Sequence, residues 1–240
     1  MWQSSVEIIK PHVVKIITPS GLGTGFQIST SKTENICAVA TAAHVINHAH
    51  YWEEPIRLFH EESQTTALLH HDQRVILVDA DHDTAAIIFN KELIPFPPQT
   101  LTMTTEGKYI KIGSELGWMG YPAVSPTDLC LFSGRASCYR EKEGAYLVDG
   151  VAINGVSGGP AFLPLTKSAI MIVGVVSAYI SNRATGEPLP GLCVIQDVIQ
   201  FQGLAKKFKT LDQAKKEETP PIPPQNSLPG DQGSNEQKPG

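Results

Sequence analysis

Three short stretches carry the residue types that nucleophilic chemistry needs. Gly155-Val156-Ser157-Gly158-Gly159-Pro160 sets a serine in a glycine turn closed by proline. The glycines let backbone approach backbone and leave amide N–H groups free to meet an oxygen outside the chain. A serine hydroxyl is a weak nucleophile and requires a base, which in turn requires an orienting partner. Thr41-Ala42-Ala43-His44-Val45 offers His44 as the base. Asp81-His82-Asp83-Thr84-Ala85-Ala86-Ile87-Ile88 offers the orienter. Asp79, Asp81 and Asp83 alternate, so an extended strand would place all three on one face. Asp83 is the expected partner of His44 because the apolar run 85–89 follows it directly, with Asp81 as the alternative.

Other chemistry finds less support. His44, His48 and His50 fall close together, and His70, His71 and His82 add imidazole. There is no HExxH and no cysteine pair beside them, so surface histidines are expected and no metal. Gly21-Leu22-Gly23-Thr24-Gly25 has glycine spacing like a phosphate loop, but no helix of the dinucleotide type follows, and a tight hairpin is the expected structure. Cys37, Cys130, Cys138 and Cys193 are few and irregularly spaced, which argues against a disulfide scaffold or a thiolate zinc site. No cofactor is expected.

These residues have to be held by a β-rich chain. Of 240 residues, 41% are hydrophobic and 18% charged, enough for a real core in one large or two small domains. The net charge of −5 argues against a nucleic-acid partner. Short β-rich runs follow one another at 13–17, 21–28, 36–40, 56–59, 65–69, 74–78 and 85–89, after a short lead-in over 1–12. Residues around 45–50 can form a helical turn. Residues 91–108, polar and proline-bearing, read as a linker. A second set is expected at 115–119, 128–132, 136–139, 145–148, 161–163, 170–176 and 192–195, with turns at Gly120-Tyr121-Pro122 and Ser133-Gly134. One amphipathic helix is expected over 197–208, with Val198, Ile199, Phe201, Leu204 and Phe208 on one face. From 211 to 240 the chain turns Pro-, Gly- and Gln-rich and is expected to be a disordered tail. Its PxxP spacing suits a polyproline-reading partner, a passive tail being the plainer reading. The start carries no basic segment leading into an apolar core, no apolar run has the length of a membrane span, and no Asn-x-Ser/Thr sequon occurs, so a cytoplasmic location is expected.

Gly23-Thr24-Gly25-Phe26, Thr41-Ala42-Ala43-His44, Asp83-Thr84-Ala85 and Gly155-Val156-Ser157-Gly158-Gly159-Pro160 together resemble the blocks of trypsin-like serine peptidases of the chymotrypsin clan. The HtrA/Deg-like branch is the nearest likeness. Gly120-Tyr121-Pro122, Ser133-Gly134, Asp149 and Gly174-Val175-Val176-Ser177 continue it in order, so it covers about residues 10–205. The resemblance implies an all-β fold of two packed six-stranded antiparallel barrels with a C-terminal helix. The first barrel would span about 12–92 and the second about 108–197, within a peptidase domain of 1–210. It implies a serine endopeptidase acting on polypeptides through His44, Asp83, Ser157 and an acyl-enzyme. The N–H groups of Gly155 and Ser157 would form the oxyanion hole. Ser177, Ala178 and Tyr179 would pair with the substrate backbone and wall the specificity pocket. Val151 stands near the place where trypsin-type enzymes bind a basic side chain, so a small or medium apolar P1 residue is expected.

Two departures matter. No PDZ domain follows the peptidase part, as it does in many HtrA proteins. Val156 precedes the serine where classical trypsins carry an aspartate that pairs with a new N-terminal amine. Valine cannot make that ion pair, so activation by that route is not available. A catalytically silent or conditionally activated binder of extended peptides therefore stands as the alternative, with a backbone flip at Gly155-Val156 as its switch.

Overall fold

The computed structural model describes residues 1–181 and 188–218, with side chains for all of these except 178–181, 188–190 and 216–218. Among the described residues, thirteen strands form two sheets. The first set is β1 (Val13–Thr18), β2 (Gly21–Thr30), β3 (Ile36–Ala42), β4 (Ile56–His60), β5 (Thr65–Leu69), β6 (Arg74–Asp79) and β7 (Thr84–Asn90). The second is β8 (Glu115–Gly120), β9 (Cys130–Arg140), β10 (Ala145–Asp149), β11 (Pro160–Thr166), β12 (Ala169–Ser181) and β13 (Pro188–Asp197). Three α-helices accompany them: α1 (Trp2–Ile9), α2 (Ala43–Tyr51) and α3 (Gln202–Glu218).

The second half is the expected closed six-stranded barrel, in the order β10-β13-β12-β11-β8-β9. The first half corrects the expectation of a six-stranded barrel. It is a seven-stranded antiparallel sheet, β5-β4-β1-β2-β3-β7-β6, whose ends do not pair. The Arg74 guanidinium provides the physical reason. Buried at the start of β6, it donates to Leu69 O at the end of β5 (2.6 Å) and to Ala49 O and Glu54 O beside α2 (3.1 and 2.6 Å). Charge-assisted bonds thus hold the gap where strand pairing would otherwise run.

Strands buried on both faces lose the polar half of their alternation. In β3, Cys37 and Val39 enter the core of the first half, beside Ile16, Ile46, Leu58 and Ile87. Ala38 and Ala40, on its other face, enter a cluster shared by both halves, with Phe26, Met119, Tyr121, Phe162 and Val175. The second barrel is filled by Leu116, Trp118, Tyr146, Val148, Val173 and Ile195. Each large side chain so buried contributes about 1.5–3 kcal/mol, and the shared cluster ties the halves into one body.

Four local expectations are corrected. The lead-in is helical: Trp2, Val6 and Ile9 share a face of α1, and Trp2 meets Phe162 edge-on at 5.9 Å. The spacing 2, 6, 9 carried that signal. Ser133-Gly134 is no turn, for β9 runs straight through it. A Cβ on Gly134 would sit 2.1 Å from Asp149 O, so glycine serves close strand approach there. The segment after β7 is more than a linker: Leu101 and Ile94 are buried, and 102–104 pairs with Ile172 through Thr104 N–H to Ile172 O and Ile172 N–H to Thr102 O. The helix expected over 197–208 divides into a 3-10 turn, Val198–Phe201, and α3, which runs on to Glu218. The disordered tail expected from 211 is thereby corrected over 211–218, which belong to α3, and its remainder, 219–240, lies outside the described residues.

The last turns of α3 have a partner that sequence did not reveal. The Asp212 carboxylate accepts from Ser31 Oγ (2.5 Å), from Lys32 N–H (3.0 Å) and from the N–H and Oγ1 of Thr33 (3.2 and 2.9 Å), gripping the β2–β3 loop. Lys215 pairs with Glu34 at 3.1 Å. Slight burial pushes the Asp212 carboxyl up, but these donors outweigh it and hold it down at about 2. A depressed carboxyl contributes stability above the ordinary carboxylate range and loses it as pH falls toward its folded value. Asp212→Ala is expected to lower Tm by about 2–4 °C near neutrality. The difference from wild type should shrink as pH drops from 4 to 2 in a thermal series; a constant difference would refute this account.

Candidate active site

His44 sits at the first turn of α2, where β3 ends. The first N–H groups of a helix have no partner within it, and here one residue across the sheet supplies them. Asp83 O accepts from Ala43 N–H (3.1 Å) and Asp83 Oδ1 from His44 N–H (2.9 Å). Its other oxygen, Oδ2, lies 2.8 Å from His44 Nδ1 and accepts from Ser177 Oγ at 2.5 Å. A carboxylate next to the helix N-terminus also meets a favourable dipole. Burial pushes the Asp83 carboxyl up; the bonds from His44 and Ser177 outweigh this and hold it below its usual value. An ionised carboxylate only accepts, so His44 Nδ1 carries the proton and Nε2 is left as the basic nitrogen.

The backbone explains why Asp83 and neither neighbour reaches His44. The chain turns at 80–83 between β6 and β7, so the extended run that would align the three aspartates does not exist. Asp83 takes φ +47°, a conformation that aspartate tolerates better than most residues. Asp79 instead holds His82, through its N–H (3.2 Å) and Nδ1 (2.8 Å), and Asp81 is exposed. Ser177 reaches Asp83 because the β12–β13 register shifts between Val176 and Ala178. Such a bulge re-aims one side chain.

Ser157 is half-buried in the loop between β10 and β11. The four carbonyls from 154 to 157 are all engaged. Asn154 O accepts from Ala123 N–H (2.6 Å), Gly155 O from Thr24 Oγ1 (2.8 Å), Val156 O from Gly159 N–H (3.0 Å) and Ser157 O from Thr24 N–H (2.8 Å). Val156 N–H and Gly158 N–H are bonded to Ile153 O and Val176 O. The N–H groups of Gly155 and Ser157 have no acceptor among the described residues. Because a trans peptide points its N–H opposite its C=O, the bond from Ala123 to Asn154 O turns Gly155 N–H away from Ala123. Gly155 has φ +91°, and a Cβ there would lie 2.3 Å from Tyr121 O, so no other residue fits. A Cβ on Gly158 would strike Thr24 O and Thr41 Oγ1, which places the serine loop directly on the strand ends that deliver His44. Ser157 Oγ and His44 Nε2 are not hydrogen-bonded in this structure; such bonds often tighten only with substrate.

The remaining predicted residues are placed as follows. Val151 is 50% exposed and is therefore not core. The backbones of Ala178 and Tyr179 pair with Val194 and Cys193; their side chains lie outside the described residues. His48 is held by Glu54 at 3.0 Å. Sequence reasoning missed Thr24, Thr41 and the Ser177 hydroxyl. The threonines lay inside blocks already singled out, but their partners are more than a dozen residues away, and nothing local signals them.

A closed barrel and a half-barrel sheet, joined at a seam where the Ser157 loop bonds to Thr24, make up a trypsin-like fold. Residues 23–170, more than half of the chain, match the trypsin-like peptidase domain, and the chain belongs to that family of serine peptidases. No curated protein matches the sequence significantly. Solved structures similar to it include the Rv3671c protease of M. tuberculosis in an inactive form, at 20% identity over 85% of this chain and 91% of that one, with a TM-score of 0.56. The serine endoprotease from Yersinia pestis is 18% identical over 90% of this chain and 68% of that one, with a TM-score of 0.61. Among the described residues no helix is long and apolar enough to cross a membrane.

Proposed function

We propose that the protein is a serine endopeptidase that cleaves polypeptides through an acyl-enzyme. Ser157 Oγ attacks the scissile carbonyl as its proton passes to His44 Nε2. Asp83 holds the imidazole and stabilises the imidazolium. The oxyanion is received by the N–H groups of Gly155 and Ser157. His44 returns the proton to the leaving amine, and water then hydrolyses the ester. The strand end at Ser177–Tyr179 pairs with the substrate backbone as an added strand. The P1 side chain is apolar and small or medium in size, a reading supported by valine at position 151.

The observation that carries this reading is the fully pinned Asp83–His44 pair lying against a serine loop whose two N–H groups are unengaged. The same loop argues against a flip at Gly155-Val156 as an off-switch, since both flanking carbonyls already have donors. The silent alternative draws on the missing Ser157–His44 bond. A fluorophosphonate probe separates the two, because it reacts only with an activated serine. Labelling of the wild type and none of Ser157→Ala is the expected result. A folded wild type that stays unlabelled would overturn the enzyme reading.

A further inference from the structure

Thr24, on β2 of the first half, is completely buried at the seam and makes four hydrogen bonds there. Its N–H donates to Ser157 O (2.8 Å) and its Oγ1 to Gly155 O (2.8 Å). Oγ1 also accepts from Tyr121 N–H (3.0 Å), and Thr24 O accepts from Thr41 Oγ1 (2.7 Å). Thr41 lies three residues before His44. One residue of the first half therefore touches the nucleophile loop on either side of Val156 and the strand that leads into His44.

The geometry points to Thr24 as a positioning residue that sets the two N–H groups of Gly155 and Ser157 from across the seam. The rigid plane that Thr24 Oγ1 holds at Gly155 O lies between the plane that carries Gly155 N–H and the plane that carries Ser157 N–H, so fixing it limits the backbone rotations at Gly155 and Val156 that aim both. Among the four carbonyls from 154 to 157, three are held by main-chain N–H groups, which no substitution removes. Gly155 O alone is held by a side chain. Its donor is also the acceptor for Tyr121 N–H, and Tyr121 O is the atom packed against Gly155. Removing the hydroxyl leaves Gly155 O without a donor and Tyr121 N–H without an acceptor in a buried place. Both strands of that contact are then free to shift. A displacement of the oxyanion donors acts on the transition state, where charge develops, more than on the bound substrate.

The inference rests on the peptidase reading for its kinetic half only. Thr24→Val keeps the shape and β-branching and loses the hydroxyl; Thr24→Ser keeps the hydroxyl. With a set of peptide p-nitroanilides carrying Ala, Val, Leu or Met at P1, Thr24→Val is expected to lower kcat about ten- to a hundredfold. KM should stay within about twofold, and Thr24→Ser should return kcat to near wild type. In amide hydrogen exchange on the full chain, fragment 150–160 should exchange about tenfold faster in Thr24→Val while fragment 36–42 keeps its wild-type rate. An unchanged kcat, failure of serine to rescue, or equal acceleration of both fragments would overturn the assignment. A wild type that neither turns over nor labels defeats the peptidase reading instead. The exchange experiment still decides whether Thr24 holds the loop: no acceleration over 150–160 refutes it.

Discussion

Ser157→Ala is expected to reduce kcat by about 10⁵–10⁶ and to leave the fold untouched. Ser157 Oγ makes no hydrogen bond among the described residues, so its removal leaves no buried group unpaired. Tm should remain within a degree of wild type. His44→Ala should cost a similar factor, and the double variant little more than either single one, because the two act as one unit. What survives, about 10³–10⁴ over water, would come from the N–H groups of Gly155 and Ser157 and from substrate binding. Steady-state hydrolysis of a peptide p-nitroanilide measures this directly. Additive losses in the double variant, or more than a few per cent of activity left in Ser157→Ala, would exclude the assigned nucleophile.

Asp83→Asn is the second large effect, about 10⁴ in kcat. Asp83 Oδ2 receives two donors, His44 Nδ1–H and Ser177 Oγ–H. If the asparagine oxygen stays on the His44 main-chain N–H, its amide nitrogen faces the imidazole. Nδ1 must then accept, the ring proton moves to Nε2, and Nε2 can no longer take the serine's proton. The same contacts set the acid limit of stability. The Asp83 carboxyl is held below its usual value, so its contribution is complete above the ordinary carboxylate range and fades as pH falls through the folded value. Asp81→Asn, on the surface, should keep wild-type activity within about twofold. Similar losses in both variants would show that Asp83 has no special role.

The strands and the three blocks around His44, Asp83 and Ser157 are legible because each is announced locally. Apolar runs bounded by turns mark β1, β3 and β7, and glycines flank Ser157. What remained hidden depends on partners distant in sequence. Nothing around Arg74 says that it replaces strand pairing at an open edge, and nothing around Ser133-Gly134 distinguishes a turn from a crowded strand. Among Asp79, Asp81 and Asp83, the apolar run that follows points to Asp83, but the three do not lie along one strand, because the chain turns at 80–83. Ser177 was expected to serve through its backbone, whereas a bulge brings its hydroxyl to Asp83. Helix α1 is different, since its 2, 6, 9 spacing marks an apolar helix face in the sequence itself.

The shared apolar cluster draws on residues from Ile9 to Phe208, which has a consequence for the order of events during synthesis. As the chain leaves a ribosome, β1 to β7 emerge with Phe26, Ala38 and Ala40 facing water, since Met119, Phe162, Val175 and Phe208 that cover them come later. Contacts between such distant residues form slowly, because a long loop must close first. The Asp83 carboxylate likewise waits for the Ser177 hydroxyl ninety-four residues downstream. A hydrolase built this way passes most of its own translation without a working site, and gains one only once its late strands have docked.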